Sequence, residues 1–164
     1  MTAYALRLAT PADAAAICEI YNQGITDRVA TLETELRTPD ERRQWLTARG
    51  PRHPVVVAED DGTVVAWGSL NPYSAREAYR FVADFSVYVE RAYRGKGAGS
   101  AVLTRLMELA REHGYHKLVL SAFPTNSGGM ALYTRQGFRT VGIYKEQGML
   151  DGAWVDTVIM EKLL

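Results

Sequence analysis

Cysteine is almost absent from this sequence, since Cys18 is the single one among 164 residues. A lone cysteine excludes a disulfide framework and a cysteine metal cluster, and its place in a predicted amphipathic helix indicates a buried thiol. The formal net charge is +0, so no excess of basic residues suggests nucleic acid or an anionic membrane as a partner. No segment reaches the ~20 apolar residues of a membrane span. We therefore expect a cytoplasmic protein that binds neither nucleic acid nor membrane.

The sequence does have an ordinary apolar content, 47%, over a length that fits one domain, residues 1–164. Alternation of apolar residues predicts strands near 4–9, 55–59, 64–70, 79–89, 117–122, 138–147 and 153–162. Helical periodicity and start signals predict helices after residues 10 and 38 and over 99–113 and 126–136. Gly24 is expected to end the first helix. This order predicts an α/β domain with a mixed sheet.

The most informative segment is RAYRGKGAGS, residues 91–100, between a predicted strand and the clearest predicted helix. Its three alternate glycines let the backbone approach a ligand, and the free N–H groups that begin the helix suit a phosphate. A P-loop is excluded because Lys96 falls between glycines and no hydroxyl residue directly follows it. The dinucleotide fingerprint fits poorly because position 100 is Ser100 and the segment lies in mid-chain. A surface turn with solvated charges would also explain the glycines alone.

In its setting, the segment resembles the pyrophosphate loop of the GCN5-related N-acetyltransferases, whose motif is Arg/Gln-x-x-Gly-x-Gly/Ala. Residues 94–99 fit every position of that motif. The resemblance extends to the phosphinothricin and methionine sulfoximine acetyltransferase branch through FSVYV, N…ALY…GF and GAWVD, and to its arsinothricin-resistance relatives through ADFSVYV and GIYKEQ. It covers nearly all of residues 4–164. It implies a GNAT fold with about seven strands and about four helices, and acetyl-CoA as the acetyl donor.

The resemblance also implies which residues bind the coenzyme. These are Val87, Tyr88, Val89, Arg94, Gly95, Lys96, Gly97, Ala98, Gly99, Ser100, Asn126 and Tyr133. Backbone groups of Val87 and Val89 would contact pantetheine. Asn126 would cap its helix, bind the pantetheine arm, or do both. Arg91 is a weaker candidate than Arg94.

Asp84 and Tyr133 are the candidate catalytic residues. An acid in mid-strand is unfavourable, which suggests a local role for Asp84, although a solvated sheet face explains it equally well from sequence alone. The resemblance places Asp84 where the branch usually has a catalytic glutamate, and the shorter side chain leaves direct and water-mediated proton transfer both open. Tyr133 matches the family's helix tyrosine, which would protonate the leaving thiolate. The alternative for Tyr133 is a core aromatic.

The acceptor site is less well marked. A phosphinate or arsinate amino acid carries two anionic groups, and Arg80 matches an arginine that some branch members have upstream of their catalytic acid. Arg76 is a second candidate, and Tyr73 and the loop 31–33 could line the same pocket. A solvated charge at the start of a strand explains Arg80 equally well.

Two further groups of residues invite interpretation. His113 and His116 have no third ligand nearby, so no metal site is expected. The three tryptophans, 45, 67 and 154, are expected in the core. Trp154 also occupies a position where family members form a dimer interface, so the resemblance implies a homodimer.

These observations predict an enzyme that moves an acetyl group from acetyl-CoA to the α-amino group of a small amino-acid analogue, by direct attack in a ternary complex. Another amine or a protein N-terminus is the alternative acceptor. A non-catalytic acyl-CoA sensor is a second class of function. The pair Asp84 and Tyr133 favours the enzyme, because a sensor would need neither.

Overall fold

The computed structural model describes residues 3–164 and confirms a mixed α/β fold. The strands are β1 (Ala5–Leu8), β2 (Val55–Asp60), β3 (Thr63–Pro72), β4 (Val82–Val89), β5 (Lys117–Ala122), β6 (Arg139–Leu150) and β7 (Ala153–Leu163). The helices are α1 (Ala14–Asp27), α2 (Pro39–Thr47), α3 (Ala98–Glu112) and α4 (Ser127–Arg135). Every helix in this part of the chain is too short or too polar to span a bilayer.

The seven strands form one sheet in the order β1-β2-β3-β4-β5-β7-β6. All neighbours are antiparallel except β4 and β5, which run parallel. Their ladder contains three residue pairs and ends where Asp84 faces Val119. Beyond that pair β4 stays paired with β3 but has no partner on the β5 side. The middle of the sheet therefore contains a gap along residues 85–89.

Apolar side chains cover both faces of the sheet. The larger core joins α3 to one face, with Val102, Leu103 and Leu106 completely buried. The smaller core joins α1 and α2 to the other face around Trp67, which is 1% exposed. Tyr88 packs against this second core, whereas Val87 and Val89 pack against the first, so successive residues of β4 face opposite sides of the sheet.

Local signals explain most boundaries. The Thr38 hydroxyl accepts a hydrogen bond from the Glu41 N–H at 3.2 Å and begins α2. The β2–β3 and β6–β7 turns each place an Asp-Gly pair in the left-handed region, as two-residue hairpins require. The strand predicted from residue 79 begins later, at β4, because residues 77–79 form a 3-10 turn.

Two predictions were wrong. Helix α1 does not end at Gly24, which packs against the Tyr88 ring inside the helix; it ends after Asp27, where Arg28 adopts a left-handed conformation with φ 56°. Trp154 is 60% exposed on β7 rather than buried in the core. Both errors concern packing between distant segments, which a local pattern does not record.

Candidate active site

A cavity of about 420 Å³ lies beside the unpaired part of β4. We call it the glycine-lined cavity, because the turn before α3 and the first turn of α4 supply four of its glycines. Its lining includes these residues predicted to bind the coenzyme: Val87, Tyr88, Val89, Arg94, Gly95, Gly97, Gly99, Ser100, Asn126 and Tyr133. The other two, Lys96 and Ala98, do not line it.

The turn before α3 offers backbone N–H groups rather than side chains. Gly95 and Gly97 have φ +77° and +88°, a conformation that residues with a Cβ rarely adopt, and the space beside each is open. The intrahelical hydrogen bonds of α3 begin with the Ala101 N–H, which donates to the Gly97 carbonyl at 3.1 Å. The N–H groups before it are free of helical partners and lie at the positive end of the helix. This end of the cavity can hold a pyrophosphate.

The basic residues of the turn have different surroundings. Arg94 lines the cavity and contacts Asp27 at 2.8 Å, whereas Arg91 contacts the same carboxylate at 2.7 Å without lining the cavity. Hydrogen bonding to Arg91, and then to Arg94, holds the pKa of Asp27 below its usual range. Two cations around one anion leave a net positive charge beside the turn. The Lys96 ammonium lies 5.6 Å from the Tyr93 ring.

Helix α4 supplies the far side of the same cavity. The Asn126 side-chain oxygen accepts a hydrogen bond from the Gly129 N–H at 3.0 Å and caps the helix. Tyr133 lines the cavity with its ring perpendicular to Phe85, 5.9 Å between centroids. Burial, with a smaller effect of the Asp84 charge, raises the pKa of Tyr133 to about 12. The phenol therefore keeps its proton at neutral pH.

A second cavity, of about 700 Å³, opens on the α1 and α2 side of β4. We call it the arginine-lined cavity. Its lining comes from side chains of distant segments: Tyr21, Glu33, Arg37, Glu41, Arg42, Gln44, Trp45, Trp67, Ser69, Asn71, Ser86 and Tyr88. Tyr88 lines both cavities and forms part of the wall between them.

The two arginines of this cavity are held differently. Arg37 is paired with Glu33 at 2.7 Å and lies 3.9 Å from Glu41. The Arg42 guanidinium instead lies over aromatic rings, 4.1 Å from the centroid of Tyr21, and no carboxylate within residues 3–164 forms an ion pair with it. Arg42 is thus a cation that can accept an anionic partner. Sequence reasoning missed it because the charged α2 segment has the pattern of a solvated helix.

Asp84 lines neither cavity, but it lies close to a lining residue of the arginine-lined cavity, Asn71, and its charge acts on one of the glycine-lined cavity, Tyr133. It faces Asn71 across the β3–β4 ladder, and the Asn71 amide nitrogen lies 3.5 Å from its carboxylate. Its charge also acts on Tyr133 in the glycine-lined cavity. Burial raises the pKa of Asp84 to about 6, while the hydrogen bond from Asn71 lowers it by less. This half-buried carboxylate is ionised at neutral pH and readily takes up a proton.

The residues predicted to bind the acceptor line neither cavity. Tyr73, Arg76 and Arg80 lie between β3 and β4 and are exposed. Arg80 stacks on Phe81, and its Nε lies 3.4 Å from Glu77. Their role in the acceptor site stays a prediction.

Two further predictions concern Cys18 and the presence of a metal site. Cys18 is 2% exposed, as predicted for a structural thiol. In the part of the chain that the structure describes, no three His, Cys, Asp or Glu side chains are grouped as a metal site.

The chain is similar in sequence to known proteins. Residues 15–138 match the acetyltransferase (GNAT) family. The L-methionine sulfoximine/L-methionine sulfone acetyltransferase of Salmonella typhimurium is 32% identical over 157 residues, which are 95% of this chain and 92% of that protein.

Solved structures agree with the sequence comparison. A GNAT superfamily phosphinothricin acetyltransferase from Sinorhizobium meliloti, in complex with AcCoA, is 32% identical and superimposes with a TM-score of 0.93 over 100% of this chain and 89% of that one. A ribosomal-protein-alanine N-acetyltransferase from Brucella melitensis is 37% identical, with a TM-score of 0.93 over 98% and 99% of the two chains.

Proposed function

This chain belongs to the acetyltransferase (GNAT) family, and from that premise we propose that it transfers acetyl from acetyl-CoA to the α-amino group of a small amino-acid analogue. The acceptors that we propose are of the phosphinothricin, arsinothricin or methionine sulfoximine type. Transfer is direct, within a ternary complex.

The observation that carries this proposal is the position of Asp84. It lies where β4 leaves β5, in contact with Asn71 of the arginine-lined cavity and electrostatically coupled to Tyr133 of the glycine-lined cavity. A base placed between residues of two cavities can serve a nucleophile bound in one and a donor bound in the other. Acyl transfer needs this arrangement, because the two reactants must be held together.

The glycine-lined cavity suits acetyl-CoA, which supplies a thioester-activated acetyl group when it is bound. The free N–H groups at the start of α3 and the Arg94 charge would hold its pyrophosphate. The open space beside Gly95 and Gly97 is space that any Cβ would enter. The unpaired edge of β4 would hydrogen-bond its amide-containing arm.

Proton transfer is then divided between two side chains. Asp84, with a pKa of about 6, accepts a proton from the acceptor ammonium, directly or through a water. Tyr133, with a pKa of about 12, donates its proton to the sulfur that leaves. Activity should fall as the pH drops through about 6, because protonated Asp84 is no longer a base.

The arginine-lined cavity would hold the acceptor. Arg42 has no acidic partner in the described chain and would bind an acid group of the amino acid. Glu33 is held by Arg37 at the same cavity. Asn71 lines the same cavity and contacts Asp84, so the base lies next to the cavity that would hold the acceptor.

The test is release of thiol from acetyl-CoA by the purified protein across a panel of acceptors. The panel contains phosphinothricin, methionine sulfoximine, arsinothricin, ordinary amino acids and a peptide with N-terminal alanine. We expect the fastest release with one of the first three. Tight acetyl-CoA binding with no release from any acceptor would contradict the proposal and favour a sensor.

Acetylation of a protein N-terminus is the second candidate, favoured by the likeness to the Brucella melitensis enzyme. The peptide in the panel tests it directly. Release with the peptide and not with the free amino acids would replace the first proposal.

We also propose that the protein is a homodimer, joined through the edge of the sheet that β6 forms. Apolar side chains there are about half exposed or more, namely Val141, Ile143, Tyr144, Met149 and, on the adjoining β7, Trp154. Sedimentation equilibrium should give twice the chain mass, and Trp154→Glu should shift it toward the monomer. A monomeric parent protein would contradict this.

A further inference from the structure

Arg49 is a half-buried cation just beyond the end of α2. Its Nε donates to the His53 carbonyl at 2.9 Å, and one terminal nitrogen donates to the Leu70 carbonyl and, at 2.9 Å, to the Asn71 side-chain oxygen. The guanidinium also lies 4.3 Å from the Trp45 ring. No carboxylate of residues 3–164 forms an ion pair with Arg49. Burial, with a smaller effect of the Arg42 charge, lowers the pKa of Arg49 to about 10. A buried cation held by neutral oxygens and an aromatic ring has a desolvation cost that no ion pair offsets.

The contact with Asn71 fixes the direction of that amide. An asparagine amide has one face that accepts hydrogen bonds and one that donates them. Because Arg49 occupies the oxygen, the nitrogen points the other way, 3.5 Å from the Asp84 carboxylate and 3.4 Å from the Ser86 hydroxyl. Without Arg49 the oxygen side of the amide loses this contact, and its nitrogen can move off the carboxylate toward the Ser86 hydroxyl.

We propose that Arg49 is a positioning residue for the transfer reaction: it holds the Asn71 amide so that its N–H donor stays on Asp84. The inference rests on the proposed role of Asp84 as the base. Arg49 touches neither reactant; it acts through Asn71.

Other charged groups around Asp84 are few. From α4, Tyr133 is coupled to it and stays neutral below pH about 12. From β3 and β4, Asn71 and Ser86 are uncharged, and Val119 faces it from β5. The charges on the α1 and α2 side belong to the arginine-lined cavity: Glu33, Arg37, Glu41 and Arg42. Arg49 is itself a cation one amide away from Asp84, so Arg49→Lys, which keeps the charge, separates the orientation of the Asn71 amide from the loss of that charge.

A double-mutant cycle tests the inference, with Arg49→Met, Asn71→Leu and the double variant compared with the parent. Each single change should lower kcat by about 10- to 150-fold, the range for losing a hydrogen bond to a charged group. The double variant should lose no more than either single one, because both remove the same interaction. The acidic limb of the kcat profile should move up by about half a pH unit in each single variant. Acetyl-CoA affinity should stay unchanged.

Arg52→Met is the matched control. Arg52 also stacks on an aromatic ring, Tyr115, and donates to a backbone carbonyl, that of Arg80, at 2.8 Å, but it does not contact Asn71. It should change thermal stability without moving the pH profile. If Arg49→Met does not fold, Arg49→Lys keeps the charge and loses the planar donor pair, and it must show the same shift in the pH profile.

Multiplied losses in the double variant, or an unmoved acidic limb, would overturn the role of Arg49 and leave the proposed function intact. If instead Asp84→Asn leaves turnover unchanged, the proposed function fails before Arg49 is considered.

Discussion

The two cavities on either side of β4 are built in opposite ways. The glycine-lined cavity is made largely of backbone from short continuous segments, the turn before α3 and the start of α4. The arginine-lined cavity is made of side chains drawn from residues 21 to 88. A ligand shared across a family can be bound by backbone, because backbone geometry tolerates sequence change. Selection among acceptors falls to side chains, which can be exchanged without altering the fold.

The largest expected effect is that of Asp84→Asn, because Asp84 contacts Asn71 of one cavity and acts on Tyr133 of the other. Turnover should fall by about 10²- to 10⁴-fold, the usual contribution of a general base, because the amide cannot take up the proton. Acetyl-CoA affinity, measured by calorimetry, should stay unchanged. Asp84→Glu is the control, since it keeps the carboxylate and should retain most of the activity. Full turnover in the Asn variant would contradict the assignment.

Gly97→Ala examines the backbone side of the comparison. Gly97 has φ +88°, so a Cβ strains the turn and displaces the N–H groups, and we expect acetyl-CoA affinity to fall about tenfold. Gly114→Ala is matched, with φ +79° and open space, but Gly114 does not line the cavity. Both variants should lose similar stability in thermal melts. Equal coenzyme affinity in the two would mean that the turn does not bind the donor.

Arg42→Met examines the side-chain side. Losing the cation should raise the KM for the acceptor by about tenfold while the acetyl-CoA KM stays constant. Arg80→Met is compared in the same assay, because Arg80 was the candidate that the sequence favoured. An effect of Arg80 alone would move the acceptor site from the arginine-lined cavity to the segment between β3 and β4.

The last effect is on stability rather than on activity. Burial raises the pKa of Asp84 from 3.8 to about 6, so ionisation costs the folded protein free energy above that pH and costs nothing well below 3.8. Asp84→Asn should therefore increase the free energy of unfolding by up to about 3 kcal/mol at pH 8, and by less at pH 4. Urea titrations at the two pH values measure this. An equal increase in the free energy of unfolding at both pH values would show that the charge of Asp84 does not cause it.

The same contrast explains what the sequence could predict. The seven strands, the four helices and the glycine turn follow from alternation, periodicity and turn chemistry, which are local. Arg42 and Arg49 were not identified from the sequence. Their partners, Tyr21 and Asn71, lie about twenty residues away along the chain, and such contacts leave no local pattern. The pairing of Asn71 with Asp84 depends on a register between β3 and β4 that the predicted strands, 64–70 and 79–89, do not contain.

The short ladder between β4 and β5 should also make the middle of the sheet easier to open. It leaves the sheet as two blocks, β1–β4 and β5–β7–β6, joined by three residue pairs. Amides along the unpaired edge of residues 85–89 should exchange with deuterium quickly in the free protein and slowly once the glycine-lined cavity is filled. The bound molecule would then complete the sheet as an eighth strand would. Filling the glycine-lined cavity should therefore also make the sheet more rigid, so the protein should be most rigid with its donor bound.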